Sequence, residues 1–457
     1  MTELCSRTAA ELVRLVRDGQ ISRREVASAH LDRIDAGDGE IGAFSRRLDP
    51  EQVLAEAAAA DRERAGDDSF PLDGVPISVK EYFDVTGMAS TEGVRAHADR
   101  RAPGDSLVVQ RLRRAGALIV GKGKQPDFKA RWNTVSELDG VTRNPRDTRL
   151  SAGGSSGGDA AAVAGGFVAA GLGTDFGGSI RVPASFCGTW GLRTSHGRVP
   201  DVQAIGPPGG APIGTAMSSI GPLCRSREDL RLVLGAIAGA APAAPASVDP
   251  VGPGLGPRRV ARLSDQLGAR VEPGLLARLD AVCDAFAAAG YEVVDADLPG
   301  GSRLPELFGE LVGTELLQVG LPALGETIGA DARHYLETMF GERQLGGSVA
   351  DFLAAQVELS ERASVLAAWM ELNPLIVSPV VGIEAPPLDF DQDLSPRGAA
   401  RLFDRMRNAV WVNLLGLPAI SLPNGIQIAG RRFAEAELLD AAAAVEPHVL
   451  GLSAATI

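Results

Sequence analysis

Apolar and polar positions follow two different rhythms along this chain. Near the N-terminus, Leu12, Leu15 and Val16 recur at helical spacing, and so do Val26, His30, Leu31 and Ile34. Each run is preceded by a hydroxyl residue with a glutamate three positions on, Thr8 with Glu11 and Ser22 with Glu25. That pairing satisfies two otherwise orphaned N–H groups at a helix start, so two amphipathic helices are predicted, with His30 on the packed face. Further on, the apolar runs shorten and are bounded by Gly, Pro and Asp, which predicts strands. The first, Val75–Val79, ends in Lys80. A helix from Asp105 through Arg114 leads to a second at Ala117–Val120. Others are Arg259–Leu263, Tyr291–Val294, Leu375–Val381, Pro418–Leu422 and Ile426–Ala429, with helical patterns between most of them. Alternating strands and helices predict an α/β fold: a single large domain with a mixed, mostly parallel central sheet flanked by helices. The Pro/Ala/Gly-rich stretch 239–256 reads as a surface connection between two halves of that sheet.

Bulk composition narrows the function classes. Of 457 residues, 45% are hydrophobic and 23% charged, the balance of a soluble protein with a substantial core. A formal net charge of −13 lacks the basic surplus that nucleic-acid binding uses, so no nucleic-acid partner is expected. Cys5, Cys187, Cys224 and Cys283 show no CxxC spacing, which excludes a zinc ribbon or a disulfide framework. The longest apolar run, near residues 160–172, is short and glycine-rich for a membrane span. The opening segment mixes Glu, Arg and Asp with apolar residues, so a cytoplasmic location and no membrane are expected. One imbalance bears on chemistry. Of 45 basic residues only Lys80, Lys122, Lys124 and Lys129 are lysine. A desolvated lysine can lose its proton and act as a base, whereas arginine keeps its own. Lys80, closing a strand, is the candidate; Lys122, Lys124 and Lys129 read as solvated surface residues.

The stretch Gly153-Gly154-Ser155-Ser156-Gly157-Gly158-Asp159 has the composition of a linker, yet it opens directly onto an alanine-rich apolar run. A phosphate loop would need a lysine after its glycines, and none follows. Gly153 through Gly157 does fit the G-x-S-x-G of a nucleophile elbow. That motif requires a buried strand before it, and TRNPRDTRLSA is polar. None of the later histidines, His196, His334 or His448, stands out as a partner. A second glycine-flanked serine lies 24 residues on, in Gly173-Thr-Asp-Phe-Gly177-Gly178-Ser179-Ile-Arg181. Consecutive glycines expose several N–H groups in one turn, and a serine there has donors for a developing oxyanion. With histidine scarce, a Ser-Lys pairing through Lys80 supplies the missing base.

GVPISVKEYFDV (74–85) and the segment from GGSSGGD to GLRTSHGRVP (153–200) closely resemble the amidase signature family. RNPRD, SSIGPLCRSREDLRLVLGAIAG and LLGLPAISLPNG extend the likeness, whereas 245–400 matches loosely. The resemblance implies a Ser-cisSer-Lys relay of Ser179, Ser155 and Lys80, with a cis peptide bond before Ser155. It places the oxyanion hole at Phe176, Gly177 and Gly178, with Asp175 and Arg181 as supporting residues, read first as a structural salt bridge. Asp159 suits the start of the helix that follows. No metal or organic cofactor is implied. The partner expected is a small-molecule amide, and a homodimer is compatible with the sequence.

One domain over 1–457 is expected to contain N-terminal helices (1–70), a signature core (71–240), a variable pocket region (245–400) and closing C-terminal elements (401–457). Departures from the family pattern are the GKGKQPDF loop, GLRTS (191–195) without the Lys-Pro often seen there, and SLPNG running directly into IQIAG. Trp132 and Asn133 stand where members of that family approach the active site, and read equally as core packing and a turn. The function implied is hydrolysis of the C–N bond of a linear, non-peptide carboxamide through a serine acyl-enzyme. Three alternatives stay open: the glutaminase subunit of a tRNA-dependent amidotransferase, an esterase or acyl-transferring member, and an inactive binding module.

Overall fold

The computed structural model describes residues 2–64, 66–67, 69–205, 212–239, 258–263, 265–341, 343 and 348–453, so most of the 239–256 connection lies outside the described residues. Both predicted caps form. Thr8 Oγ1 accepts from the Glu11 N–H at 3.1 Å while the Glu11 carboxylate accepts from the Thr8 N–H at 2.8 Å, opening α1 (Ala9–Arg17). Ser22 and Glu25 exchange the same bonds at α2 (Arg23–Ile41). Leu12, Val16, Val26, Leu31 and Ile34 are buried, as is His30, which lies 3.1 Å from the Phe167 carbonyl through Nδ1. Burial pushes the His30 pKa down to about 4, so it packs as a neutral ring.

Among the described residues, eleven strands make the central sheet: β1 (Phe44–Arg47), β2 (Pro76–Lys80), β3 (Leu118–Gly123), β4 (Ala170–Asp175), β5 (Trp190–Arg193), β6 (Ser219–Cys224), β7 (Arg259–Leu263), β8 (Glu292–Ala296), β9 (Leu375–Pro379), β10 (Ala419–Ser421) and β11 (Ile426–Gly430). Their spatial order is β1-β3-β2-β4-β6-β5-β10-β11-β9-β7-β8. The sheet is mixed, but "mostly parallel" needs correcting. Parallel pairing is confined to β3-β2-β4 and β9-β7-β8, and every other neighbour pair is antiparallel. The physical reason lies at the centre. β10 and β11 form a tight hairpin turned by Gly425 at φ 87°, and a hairpin can only be antiparallel. β5 and β6 likewise enter the middle of the sheet against their neighbours' direction.

Along β9, Leu375 and Val377 join one apolar cluster and Ile376 the other, so the two clusters lie on opposite faces of the sheet. One holds α1, α2 and the C-terminal helix Glu435–Ser453 against the strands. The other packs Trp132 against the helices Arg303–Glu315 and Pro396–Leu414 through Phe308, Phe403, Met406 and Trp411. The helical stretch Arg303–Thr327 is long and apolar enough to cross a membrane by length and composition, and half of its window is buried inside the protein.

Candidate active site

Three elements converge at one end of the sheet. β2 and β4 are parallel neighbours, so their carboxyl ends lie side by side, the edge where open α/β sheets place ligands. β2 ends in Lys80, and β4 ends in Asp175 and runs into the turn bearing Ser179. Between them in sequence, a hairpin strand (Asp147–Ser151) leads to the Ser155 turn and then to the helix Gly157–Ala164. That strand pairs with Arg143–Asn144, bridges to Pro387 through Leu150, and is partly exposed, so it is no buried strand of a nucleophile elbow. The Gly154–Ser155 peptide bond is cis. The two serine turns meet where the Ser156 N–H donates to the Ser179 carbonyl at 3.1 Å.

Lys80 is fully buried, and its Nζ is ringed by hydroxyls: Ser155 Oγ at 2.8 Å, Ser156 Oγ at 2.9 Å and Thr174 Oγ1 at 2.9 Å. No carboxylate forms an ion pair with it among the described residues. Burial drives its pKa well down, and the charge of Lys129 pushes the same way; Asp159 and Asp175 oppose from further off. The arrangement suits a neutral amine. Asp159 is also fully buried, accepting a 2.7 Å bond from Ser78 Oγ, and burial raises its pKa. It does not serve simply as a solvated charge at a helix start.

Ser179 is 6% exposed. Its turn is held by Asp175, whose carboxylate accepts from the Gly178 N–H at 2.9 Å and the Ile180 N–H at 3.1 Å. Arg181 bonds that carboxylate through Nε and Nη2, both at 3.0 Å, and also reaches Gln427 and Asn413 at 2.7 Å. Burial alone would raise the Asp175 pKa, but Arg181 and Arg193 together hold it below the carboxylate range. Asp175 and Arg181 are thus an ionised, fully buried pair under the turn, 3.0 Å apart.

The three residues expected as oxyanion donors divide. Gly178 spends its N–H on Asp175, so it is not a free donor in this geometry; the turn has to be anchored, and this peptide group anchors it. The N–H groups of Phe176, Gly177 and Ser179 have no hydrogen-bond partner among the described residues. Lys80 meets Ser155, whereas no hydrogen bond joins Ser155 to Ser179.

The surface reading of the other lysines also needs correcting. Lys122 is fully buried on β3, 3.3 Å from Glu81 Oε1 and donating to the Ala89 carbonyl at 2.8 Å. Lys124 and Lys129 are half-buried, and the Lys129 ammonium stands 3.3 Å from the Tyr82 ring centre. β3 runs alongside β2 and sets Lys122 opposite Val79, and the charge of Lys129, in the loop that follows, is felt at Lys80. Sequence reasoning missed Ser156 and Thr174, although a hydroxyl beside Ser155 and another two residues before the Phe176 turn were visible. It missed Asn413 and Gln427 because nothing local marks a residue that reaches Arg181 across more than 200 positions.

The family model described as Amidase matches residues 25–439. An indoleacetamide hydrolase from Bradyrhizobium diazoefficiens is 31% identical, covering 96% of this chain and 86% of its own. A glutamyl-tRNA(Gln) amidotransferase subunit from Moorella thermoacetica is 33% identical, with 97% of each chain covered. The solved structure of a bacterial aryl acylamidase belonging to the amidase signature enzymes superposes with a TM-score of 0.81 at 25% identity, over 97% of this chain and 96% of that one.

Proposed function

This chain belongs to the amidase family, and from that premise we propose that it cleaves a linear, non-peptide carboxamide through an acyl-enzyme on Ser179. The observation that carries the reading is the Lys80 amine, enclosed by three hydroxyls at 2.8–2.9 Å with no carboxylate partner among the described residues. A free lysine titrates at about 10.4 and is a poor base at neutral pH, but this environment disfavours the ammonium. Neutral Lys80 accepts the Ser155 hydroxyl proton, and Ser155 accepts the proton of Ser179 as Ser179 Oγ attacks the amide carbon. The Ser155–Ser179 hydrogen bond is the one link that closes with substrate in place, as catalytic hydrogen bonds often do. The free N–H groups of Phe176, Gly177 and Ser179 stabilise the oxyanion. The proton then returns through the relay to the leaving nitrogen, the C–N bond breaks, and water releases the acid from Ser179. The chain's own side chains supply every proton transfer in this scheme.

Labelling with a fluorophosphonate tests the assignment without knowing the substrate. The adduct is expected on Ser179 in the wild type, with labelling lost in Lys80→Ala. An adduct on Ser155 would overturn the order of the relay. A second reading, a glutaminase component that works only inside a complex, takes support from the 33% identity to an amidotransferase component. Amide turnover by the purified single chain would exclude it.

A further inference from the structure

Resting on the acyl-enzyme reading above, we infer that Trp132 is a positioning residue for the oxyanion donors, acting through the single peptide plane that joins Gly177 to Gly178. Both ends of that plane are held. The Trp132 Nε1–H donates to the Gly177 carbonyl at 2.8 Å, and the Gly178 N–H donates to Asp175 Oδ1 at 2.9 Å. Glycine has the widest backbone freedom of any residue, so two in succession fix nothing by themselves. Gly178 sits at φ 99°, where a side chain is excluded twice over: by conformation, and by Ala409 and Val182, which a Cβ would meet at 2.8 and 2.9 Å. The turn therefore needs restraint from outside. The planes on either side carry the Gly177 and Ser179 N–H groups and pivot on the two glycine Cα atoms, so clamping the middle plane sets where both donors point.

The segment that delivers the indole is itself pinned. Arg131 Nε donates to Asp391 Oδ2 at 3.0 Å, and Asn133 Nδ2 donates to the Leu388 carbonyl at 2.7 Å and to Asp391 Oδ1 at 3.1 Å. Its backbone lies against Gly154, where an added Cβ would fall 2.8 Å from Arg131 O, Asn133 N and Trp132 C. One short segment therefore touches the residue before Ser155 on one side and the turn of Ser179 on the other. Trp132 is buried and packs edge-on to Phe403 at 6.4 Å. A buried indole N–H usually finds an acceptor. Here the acceptor is the one carbonyl whose rotation would move both donors.

The test compares Trp132→Phe, which keeps ring bulk and loses the N–H, with Phe403→Leu, which loosens the indole's packing and keeps the N–H. Both are titrated with a fluorophosphonate, whose attack by serine builds negative charge on oxygen as an amide does. Losing one direct donor in a hydrolase costs about 10²–10³ in rate, so a misaimed hole is expected to lose about 10- to 100-fold. For Trp132→Phe the maximal labelling rate should fall by that factor at an unchanged half-saturating concentration, with the adduct still on Ser179. Phe403→Leu should label at the wild-type rate. Wild-type labelling by Trp132→Phe, or equal loss in both variants, would overturn the inference. A wild-type protein that takes no label on Ser179 would instead overturn the acyl-enzyme reading on which it rests.

Discussion

The protonation state of Lys80 can be read from stability as well as from rate. A lysine whose folded pKa lies below its unfolded value leaves the unfolded chain holding more protons than the native one. Stability then rises with pH, by up to about 1.4 kcal/mol per unit for one full proton, until pH passes the unfolded value near 10.4. Asp159 carries the opposite sign. Its folded pKa is raised by burial, so its own contribution falls as pH rises through the range between its unfolded and folded values. The comparison is therefore made in an Asp159→Asn background, with Lys80 against Lys80→Met, by urea unfolding at pH 7, 8 and 9. The stability difference should move in favour of the Lys80 protein, by up to about 3 kcal/mol over those two pH units. Lys80→Met should remain folded while losing fluorophosphonate labelling. Lys80→Arg should be the worst variant, since it forces extra atoms and a permanent charge into a fully buried site with no ion-pair partner among the described residues. A stability difference that stays level between pH 7 and 9 would show that native Lys80 keeps its proton, and the base role would fall with it.

Removing the positive charge of Lys129, which helps depress the Lys80 pKa, should shift the acid limb of the labelling rate to higher pH in Lys129→Met and leave it in place in Lys129→Arg. Asp175→Asn leaves Arg181 and Arg193 buried without their shared counter-charge; urea unfolding should register a loss of about 3–5 kcal/mol, with labelling lost as the Ser179 turn loosens. Gly154→Ala drives a methyl to 2.8 Å from three backbone atoms of residues 131–133, and about 1–3 kcal/mol of stability should go with it in the same assay.

What the sequence disclosed, and what it hid, divides by the range of the physics involved. Thr8 with Glu11 and Ser22 with Glu25 act within one helical turn, and both capping boxes form as the residues alone predict. β2, β3 and β7 to β11 were visible as short apolar runs, whereas β4, β5 and β6, which carry Gly, Thr, Ser and Arg among their apolar residues, were not singled out as strands. Direction within the sheet was not visible. Whether β5 runs with or against β10 depends on how the chain returns after leaving β4, and no local pattern encodes that. The placement of Lys122 and Lys129 failed for a related reason. Lys122 lies two residues beyond the predicted strand yet belongs to β3 opposite Val79, and Lys129 lies under the Tyr82 ring; neither neighbour is known before the chain has folded.

The candidate site shows the same division. Ser155 and Ser179 could be singled out because glycines mark places where backbone geometry matters more than side-chain packing, and Lys80 because lysine is so rare in this chain. The residues that give these groups their properties carry no such mark. Thr174 and Ser156 are ordinary hydroxyls until Nζ is found between them, and Trp132 is an ordinary core aromatic until its N–H is found on the Gly177 carbonyl. Even Gly178, chosen from the sequence as a donor, turns its N–H the other way to hold the turn. Reactive groups are set by residue type and so are legible one at a time. Their pKa values and aim are set by neighbours drawn from β4, from residues 131–133 and from the helix that carries Asn413, and these meet only after the sheet has closed.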